Sequence, residues 1–215
     1  MYNIVILFIC YHLKGEEYTV YKKKIKSIFS WVLPIMIGLI VAVLVRQFIF
    51  SVVRVSGSSM YPNLYSNERI LLLKQKKIKR FSVVVFNAYN VAPGQEKNTE
   101  FVKRVIAVPG DTLKYTANGK LYINGKLYSQ SFISQKQRES GTVDAVKGSF
   151  SLVSDAQRMG WRRSKKVPKN CYFVMGDNRK VSYDSRYWGF VPKSKIEGVV
   201  RVPFWHSKKK IVNEY

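Results

Sequence analysis

The chain has 215 residues, of which 47% are hydrophobic, 14% aromatic and 23% charged; this suffices for one packed domain with an appendage and excludes a wholly disordered protein. Lys and Arg number 37 against 13 Asp and Glu, a net charge of +24, which predicts strong attraction to an anionic partner such as nucleic acid or an acidic membrane surface. Two cysteines far apart, Cys10 and Cys171, exclude a disulfide framework, and with His12 and His206 as the histidines a Cys/His zinc site has no basis.

In chain order, the opening stretch MYNIVILFICYHL (residues 1–13) is apolar, but about 13 helical residues reach only about 20 Å, so an interfacial or extended start is expected. Residues 28–45, IFSWVLPIMIGLIVAVLV, carry no charge and predict one transmembrane helix over residues 28–48. Pro34 and Gly38 are better tolerated in a membrane helix than in a soluble one. Lys14, Lys22, Lys23, Lys24 and Lys26 precede this helix, whereas Arg46 and Arg54 are the cations that closely follow it. Positive-inside bias therefore places residues 1–27 in the cytoplasm and residues 49–215 outside the cell membrane. An exported domain meets little DNA or RNA, so nucleic acid is set aside and anionic membrane lipid is the expected partner. The basic runs KQKKIKR (74–80), RRSKK (162–166) and KKK (208–210) can each attract headgroups, at about 1 kcal/mol per residue, or can be solvated loops.

After the helix the pattern turns to short runs rich in β-branched residues: FSVVRVSG, RILLLK, SVVVF, FVKRVIAV, KLYI, YFVM and EGVVRV. These read as strands, and few segments have helical periodicity. Asn118-Gly119 and Asn124-Gly125 each signal a two-residue hairpin, because type I′ turns need positive φ at both central residues. A small meander over about 115–128 follows. The polar stretch 129–170 is expected to be loop rather than core, so that an inserted variable subdomain covers about 112–170. The predicted fold is mainly β: an extracytoplasmic β-rich core with a smaller inserted subdomain behind one membrane helix.

Three segments concentrate small, polar and turn-forming residues: SGSSMYPNL (56–64), FVKRVIAVPGD (101–111) and MGDNRKVSYDSRYWGFVP (175–192). A nucleophilic serine needs a base, and the one histidine of the exported part, His206, lies outside all three. Lysine can serve instead if burial lowers its pKa from about 10.4 to about 7 to 8, at a cost of roughly 4 kcal/mol. In FVKRVIAV, strand alternation puts Phe101, Lys103, Val105 and Ala107 on one face and Arg104 on the other. Lys103 is then the lysine whose neighbours can desolvate it, the alternative being a surface lysine with its stem laid on apolar neighbours.

Behind an apolar anchor, and in this order, the three segments resemble the signature boxes of the bacterial type I signal peptidases, membrane-bound Ser-Lys proteases that remove signal peptides from exported proteins. RILLLK and SVVVF resemble the family too, so the likeness covers nearly the whole chain. It implies Ser59, directly before Met60, as nucleophile and Lys103 as general base, with Ser58 a bystander. Gly57 and Pro62 would shape the turn that presents Ser59, whose N–H would help form an oxyanion hole, each donor contributing about 2.7 to 4 kcal/mol. Some members carry a serine where this chain has Gly57, which leaves the second donor open. Ser182 matches the family serine that orients the lysine. Asp184 and Arg186, two apart in an extended segment, match a supporting charge pair, and Asp177 and Arg179 of GDNR are structural support.

The chain departs from the family pattern at Lys180 and Val181, where aspartate and asparagine are common, and at Ser82, where aspartate is common. Lys180 either depresses the pKa of Lys103 or faces solvent. The resemblance further implies preprotein substrates with small residues at −1 and −3, paired as an extended strand with a sheet edge, and neither metal nor organic cofactor. A monomer in the membrane is the default. Met60, Tyr61 and Pro62, with Val52 and Val53, are candidates to contact substrate or lipid, core packing being the alternative. A catalytically inert homologue that binds signal peptides without cutting is the second reading; retention of both Ser59 and Lys103 speaks against it. The related self-cleaving repressors need a DNA-binding domain where this chain has a membrane segment.

Overall fold

The computed structural model describes residues 29–142, 148–153 and 164–214. The expected cytoplasmic segment 1–27, Arg162 and Arg163 of the RRSKK run, and parts of the expected insertion lie outside the described residues. Helix α1 covers Phe29–Phe48 and, among the described residues, is the one helix long and apolar enough to cross a membrane. Its 20 residues correspond to about 30 Å of rise. One compact unit ends at Phe48 and a second runs over Ile49–Tyr215.

The second unit is mainly β, as the sequence predicts. Its strands are β1 (Phe50–Arg54), β2 (Arg69–Leu73), β3 (Val83–Asn87), β4 (Glu100–Ala107), β5 (Leu113–Tyr115), β6 (Leu121–Ile123), β7 (Lys126–Tyr128), β8 (Phe150–Ser151), β9 (Cys171–Met175), β10 (Val191–Pro192) and β11 (Ile196–Arg201). Among the described residues, three short α-helices join them: α2 (Gln135–Glu139), α3 (Ser185–Trp188) and α4 (Lys209–Asn213). A seven-stranded antiparallel sheet has the order β1-β2-β11-β3-β4-β9-β10, and a four-stranded sheet the order β7-β6-β5-β8.

Strand β3 shows why its sequence is an unbroken apolar run. Val83 and Val85 enter one core, with Met60, Leu64, Ile70 and Leu72. Val84 and Phe86 enter a second core on the opposite face, with Val105, Val174 and Val199. A strand covered on both faces has no need of polar alternation. Strand β4 keeps the expected alternation from Phe101 to Val105, then breaks it: its register against β9 shifts between Val105 and Ala107. That bulge sends Ile106 and Ala107 together into a third core, shared with the small sheet.

Two expectations need correction. Asn124 and Gly125 do form a two-residue turn with φ of 52° and 78°, but at Asn118-Gly119 Gly119 alone is left-handed, with φ 77°. There the Thr116 N–H donates to the Lys120 carbonyl at 3.0 Å, and the Lys120 N–H donates back to the Thr116 hydroxyl at 3.0 Å. The loop is therefore three residues long, 117–119. The polar stretch after Ser129 is also not mere loop: Phe132, Ile133, Phe150, Leu152 and Val167 pack into the third core, so the small sheet depends on it for its buried face.

Candidate active site

Ser59 sits in the connection from β1 to β2, where residues 58–64 coil into successive tight turns. The Tyr61 N–H donates to the Ser58 carbonyl at 3.1 Å and the Leu64 N–H to the Met60 carbonyl at 3.1 Å. Met60 and Leu64 are fully buried and pin these turns to the core, leaving Ser59 half-buried at the rim. The third segment holds the turn from outside: the Asn178 N–H donates to the Ser59 carbonyl at 3.0 Å, and Asn178 Nδ2 donates to the Ser58 carbonyl at 3.1 Å.

From β4, Lys103 reaches into this corner, with Nζ 2.7 Å from Ser59 Oγ and 5.0 Å from the centroid of the Phe101 ring. Lys103 is buried, and burial lowers its pKa from 10.5 to about 8; Asp184 and Asp177 oppose that shift and Arg186 adds to it. Desolvation of the ammonium outweighs the nearby carboxylates. Ser59 and Lys103 border a cleft of about 290 Å³ whose walls include Val53, Gly57, Phe101 and Tyr183.

On the opposite face of β4, Arg104 lies fully buried. Its Nε donates to Asp177 Oδ1 at 2.8 Å and its Nη2 to Asp177 Oδ2 at 2.7 Å, while Asn63 Nδ2 donates to Asp177 Oδ2 at 2.8 Å. Asp177 thus joins β4, the serine turn and the end of β9. Arg179, in the same GDNR motif, serves another network: it donates to the Gly176 carbonyl at 3.0 Å, to Tyr115 Oη at 2.8 Å and to Gln130 Oε1 at 2.8 Å. Arg104, Asn63, Asn178 and Gln130 were not among the residues singled out from sequence.

Asp184 and Arg186 pair through two 2.8 Å contacts, both residues fully buried. They do not share one side of an extended segment, as expected, because Asp184 is the N-cap of α3 and accepts the Arg186 N–H at 3.2 Å. The pair closes within one turn of helix. Burial pushes the Asp184 carboxyl up, but the Arg186 guanidinium and the Gly176 N–H hold it below its ordinary value.

Ser182 is buried beside this pair. Its hydroxyl favours the ionised Asp184 carboxylate, but Oγ has no partner in ordinary hydrogen-bond geometry, so the bond to Lys103 implied by the resemblance is not formed. Gly176 explains the crowding: a Cβ there would lie 2.2 Å from Ser182 Oγ and 2.5 Å from the Ser59 carbonyl oxygen. Only hydrogen fits where the boxes meet.

The remaining sequence candidates divide. Ser58 is exposed. Gly57 has φ 84° and donates its N–H to Ser66 Oγ at 3.3 Å. Met60 is 1% exposed and is core, which removes it as a lipid or substrate contact; Tyr61 is 48% exposed and stacks edge-on with Tyr65. Pro62 and Val53 are half-buried, and Val52 is exposed. Lys180 faces solvent and is not among the charges acting on Lys103. Val181 is exposed on the cleft wall. Ser82 is fully buried and caps the approach to β3, its Oγ accepting the Lys79 N–H at 3.1 Å. His206 pairs with Glu68.

The family model described as "Signal peptidase, peptidase S26" matches residues 28–205. The chain belongs to the signal peptidase family, peptidase S26. Membership makes it a serine peptidase. Signal peptidase I P of Bacillus subtilis subsp. natto is 37% identical to it over 190 residues, 86% of this chain and 92% of its own length. Signal peptidase IB of Staphylococcus aureus (strain COL) is 34% identical over 184 residues, 84% of this chain and 91% of its own. A crystal structure of a signal peptidase I from Enterococcus faecalis V583 is 34% identical, spans 58% of this chain and 97% of its own, and gives a TM-score of 0.46. Family membership and α1 together fit a membrane-anchored protein.

Proposed function

We propose that this signal peptidase family member cleaves signal peptides from exported preproteins with Ser59 as nucleophile and Lys103 as general base. The observation that carries this reading is the 2.7 Å approach of Lys103 Nζ to Ser59 Oγ inside an environment that lowers the lysine pKa to about 8. A neutral amine takes the hydroxyl proton as Oγ attacks the scissile carbonyl, and the resulting ammonium returns it to the leaving amine. Water then completes the cycle by the same route. The Ser59 N–H donates to the developing oxyanion. Asp177 ties β4 to the serine turn through Arg104 and Asn63, and the Asp184–Arg186 pair and Arg179 brace the turns around the site.

The substrate binds as an added strand. Strand β1 is an edge of the large sheet, and its unpaired side gives backbone hydrogen bonds that suit many sequences, while shallow contacts in the cleft select small side chains. Helix α1 spans the cell membrane with residues 1–27 in the cytoplasm and 49–215 outside, where substrates emerge. Holding the catalytic unit at the surface raises its effective concentration toward signal peptides lodged in the bilayer. Anionic lipid is the partner of the basic surface, and the chain acts as a monomer. The inert homologue is not favoured, because Ser59 and Lys103 are both retained and in contact. Replacing Lys103 by Arg tests the base: a guanidinium stays protonated at any accessible pH, so Lys103→Arg loses cleavage of a preprotein, and cleavage at the wild-type rate removes Lys103 from the mechanism.

A further inference from the structure

Helix α2 reaches the serine turn through one side chain. Gln137 is half-buried and uses both ends of its amide: Oε1 accepts the Arg179 N–H at 2.8 Å, and Nε2 donates to Asn178 Oδ1 at 3.2 Å. Asn178 Nδ2 in turn donates to the Ser58 carbonyl at 3.1 Å. The two ends of this chain fix its direction. A backbone N–H only donates and a backbone carbonyl only accepts, so Gln137 presents Nε2 to Asn178, and Asn178 presents Nδ2 to Ser58.

The Ser58 carbonyl and the Ser59 N–H belong to one planar trans peptide and point in opposite directions. Holding that carbonyl therefore aims the N–H, which donates to no group among the described residues and is the oxyanion donor of the mechanism above. Asn178 also holds the next peptide, its own N–H donating to the Ser59 carbonyl at 3.0 Å. One residue thus clamps both peptide planes that flank the Ser59 Cα. The Tyr61 N–H shares the Ser58 carbonyl at 3.1 Å, but it lies within the turn and moves with it. Hydrogen bonds aligned head to tail polarise one another, and the last link leaves the Ser59 N–H a stronger donor.

We propose that Gln137 is a positioning residue of the peptidase: through Asn178 it orients the Ser58–Ser59 peptide so that the Ser59 N–H meets the oxyanion. The proposal rests on Ser59 as nucleophile and deepens that reading by tying the stretch after Ser129 to the reaction. Other bonds close the same junction, Asn63 Nδ2 donating to the Phe132 carbonyl at 2.7 Å and Arg179 to Gln130 Oε1 at 2.8 Å, so the loss of Gln137 leaves it joined.

The test measures kcat, KM and melting temperature of the full chain in detergent, with a preprotein that carries an alanine-x-alanine site. Gln137→Glu is the deciding variant. Its carboxylate still accepts the Arg179 N–H and accepts the Asn178 amide as well, so a merely structural tie survives. Asn178 then turns Nδ2 toward the carboxylate and Oδ1 toward the Ser58 carbonyl, which loses its donor. A misaimed donor forfeits part of the about 100-fold or more that an oxyanion donor contributes, so kcat falls about tenfold, with KM unchanged and the melting temperature not lowered. The loss is equal at about pH 9 and about pH 10, which separates it from a shifted titration of Lys103. Asn178→Ala lowers kcat at least as far, and adding Gln137→Ala to it lowers kcat no further. A wild-type kcat or a lowered melting temperature in Gln137→Glu, a rise in KM without a fall in kcat, a loss that vanishes at the higher pH, or independent losses in the double variant overturns the proposal. Ser59→Ala reports separately on the nucleophile: cleavage by that variant contradicts the Ser59 reading, whereas its inactivity beside a wild-type kcat in Gln137→Glu refutes the positioning role alone.

Discussion

Replacing Lys103 by Met removes an amine whose pKa burial lowers from 10.5 to about 8. In the unfolded chain that amine stays protonated up to about pH 10.5, whereas the folded protein releases the proton near pH 8. The unfolded state therefore binds more protons between these values, and folding carries a penalty that is complete below about pH 8 and fades as pH rises toward 10.5. At about 1.36 kcal/mol per pH unit, the penalty is about 3.4 kcal/mol at pH 7 and under about 1 kcal/mol at pH 10. Met has similar length and no charge, and the lost contact with Ser59 subtracts about 1 kcal/mol. Lys103→Met should thus stabilise the protein by about 2 kcal/mol at pH 7, an advantage that shrinks by about 2.5 kcal/mol at pH 10. Urea unfolding of the full chain in detergent, followed by Trp fluorescence at both pH values beside wild type, reads this difference. A variant less stable than wild type at pH 7, or a difference equal at the two pH values, refutes a buried Lys103 with a lowered pKa. The same titration governs activity: kcat/KM should rise about tenfold per pH unit below about pH 8 and level off above it.

Asp177→Asn leaves the buried Arg104 charge uncompensated and should cost about 3 to 5 kcal/mol, read as a lower urea midpoint; a change under about 1 kcal/mol would contradict the role given to this pair. Gly176→Ala drives a methyl group into Ser182 and the Ser59 carbonyl, so it should lower kcat/KM at least about 100-fold, the loss seen when a reacting group is displaced by about 1 Å. Unaltered kinetics would mean that the three boxes can separate without harm. Lys180→Gln removes an exposed charge and should change kcat/KM less than about twofold with the same pH profile, since solvent screens it; a shifted profile would assign Lys180 to the environment of Lys103.

The strands were legible because β-branched runs such as VVVF and EGVVRV have few other uses, and the tight turn at Asn124-Gly125 because both residues accept positive φ. The burial of Lys103 followed from alternation over Phe101 and Val105. The partner of Arg104 did not, because Asp177 lies 73 residues away and meets it only when β4 pairs with β9. Asp184 as a helix cap was hidden by the shortness of α3, four residues without a periodic pattern. Phe132 and Gln130 were overlooked because the residues around them are polar, whereas a single buried ring and one amide suffice to tie that stretch to Arg104 and Arg179. Met60 reads equally well as a lipid contact or as core; the turns over residues 60–64 decide for core.

Cleavage of one exported preprotein with an alanine-x-alanine site, by the detergent-purified chain beside its Ser59→Ala variant, tests the central claim most directly. Cleavage at that site by the first and none by the second is the predicted result. Cleavage by both, or by neither while both bind the precursor, contradicts it.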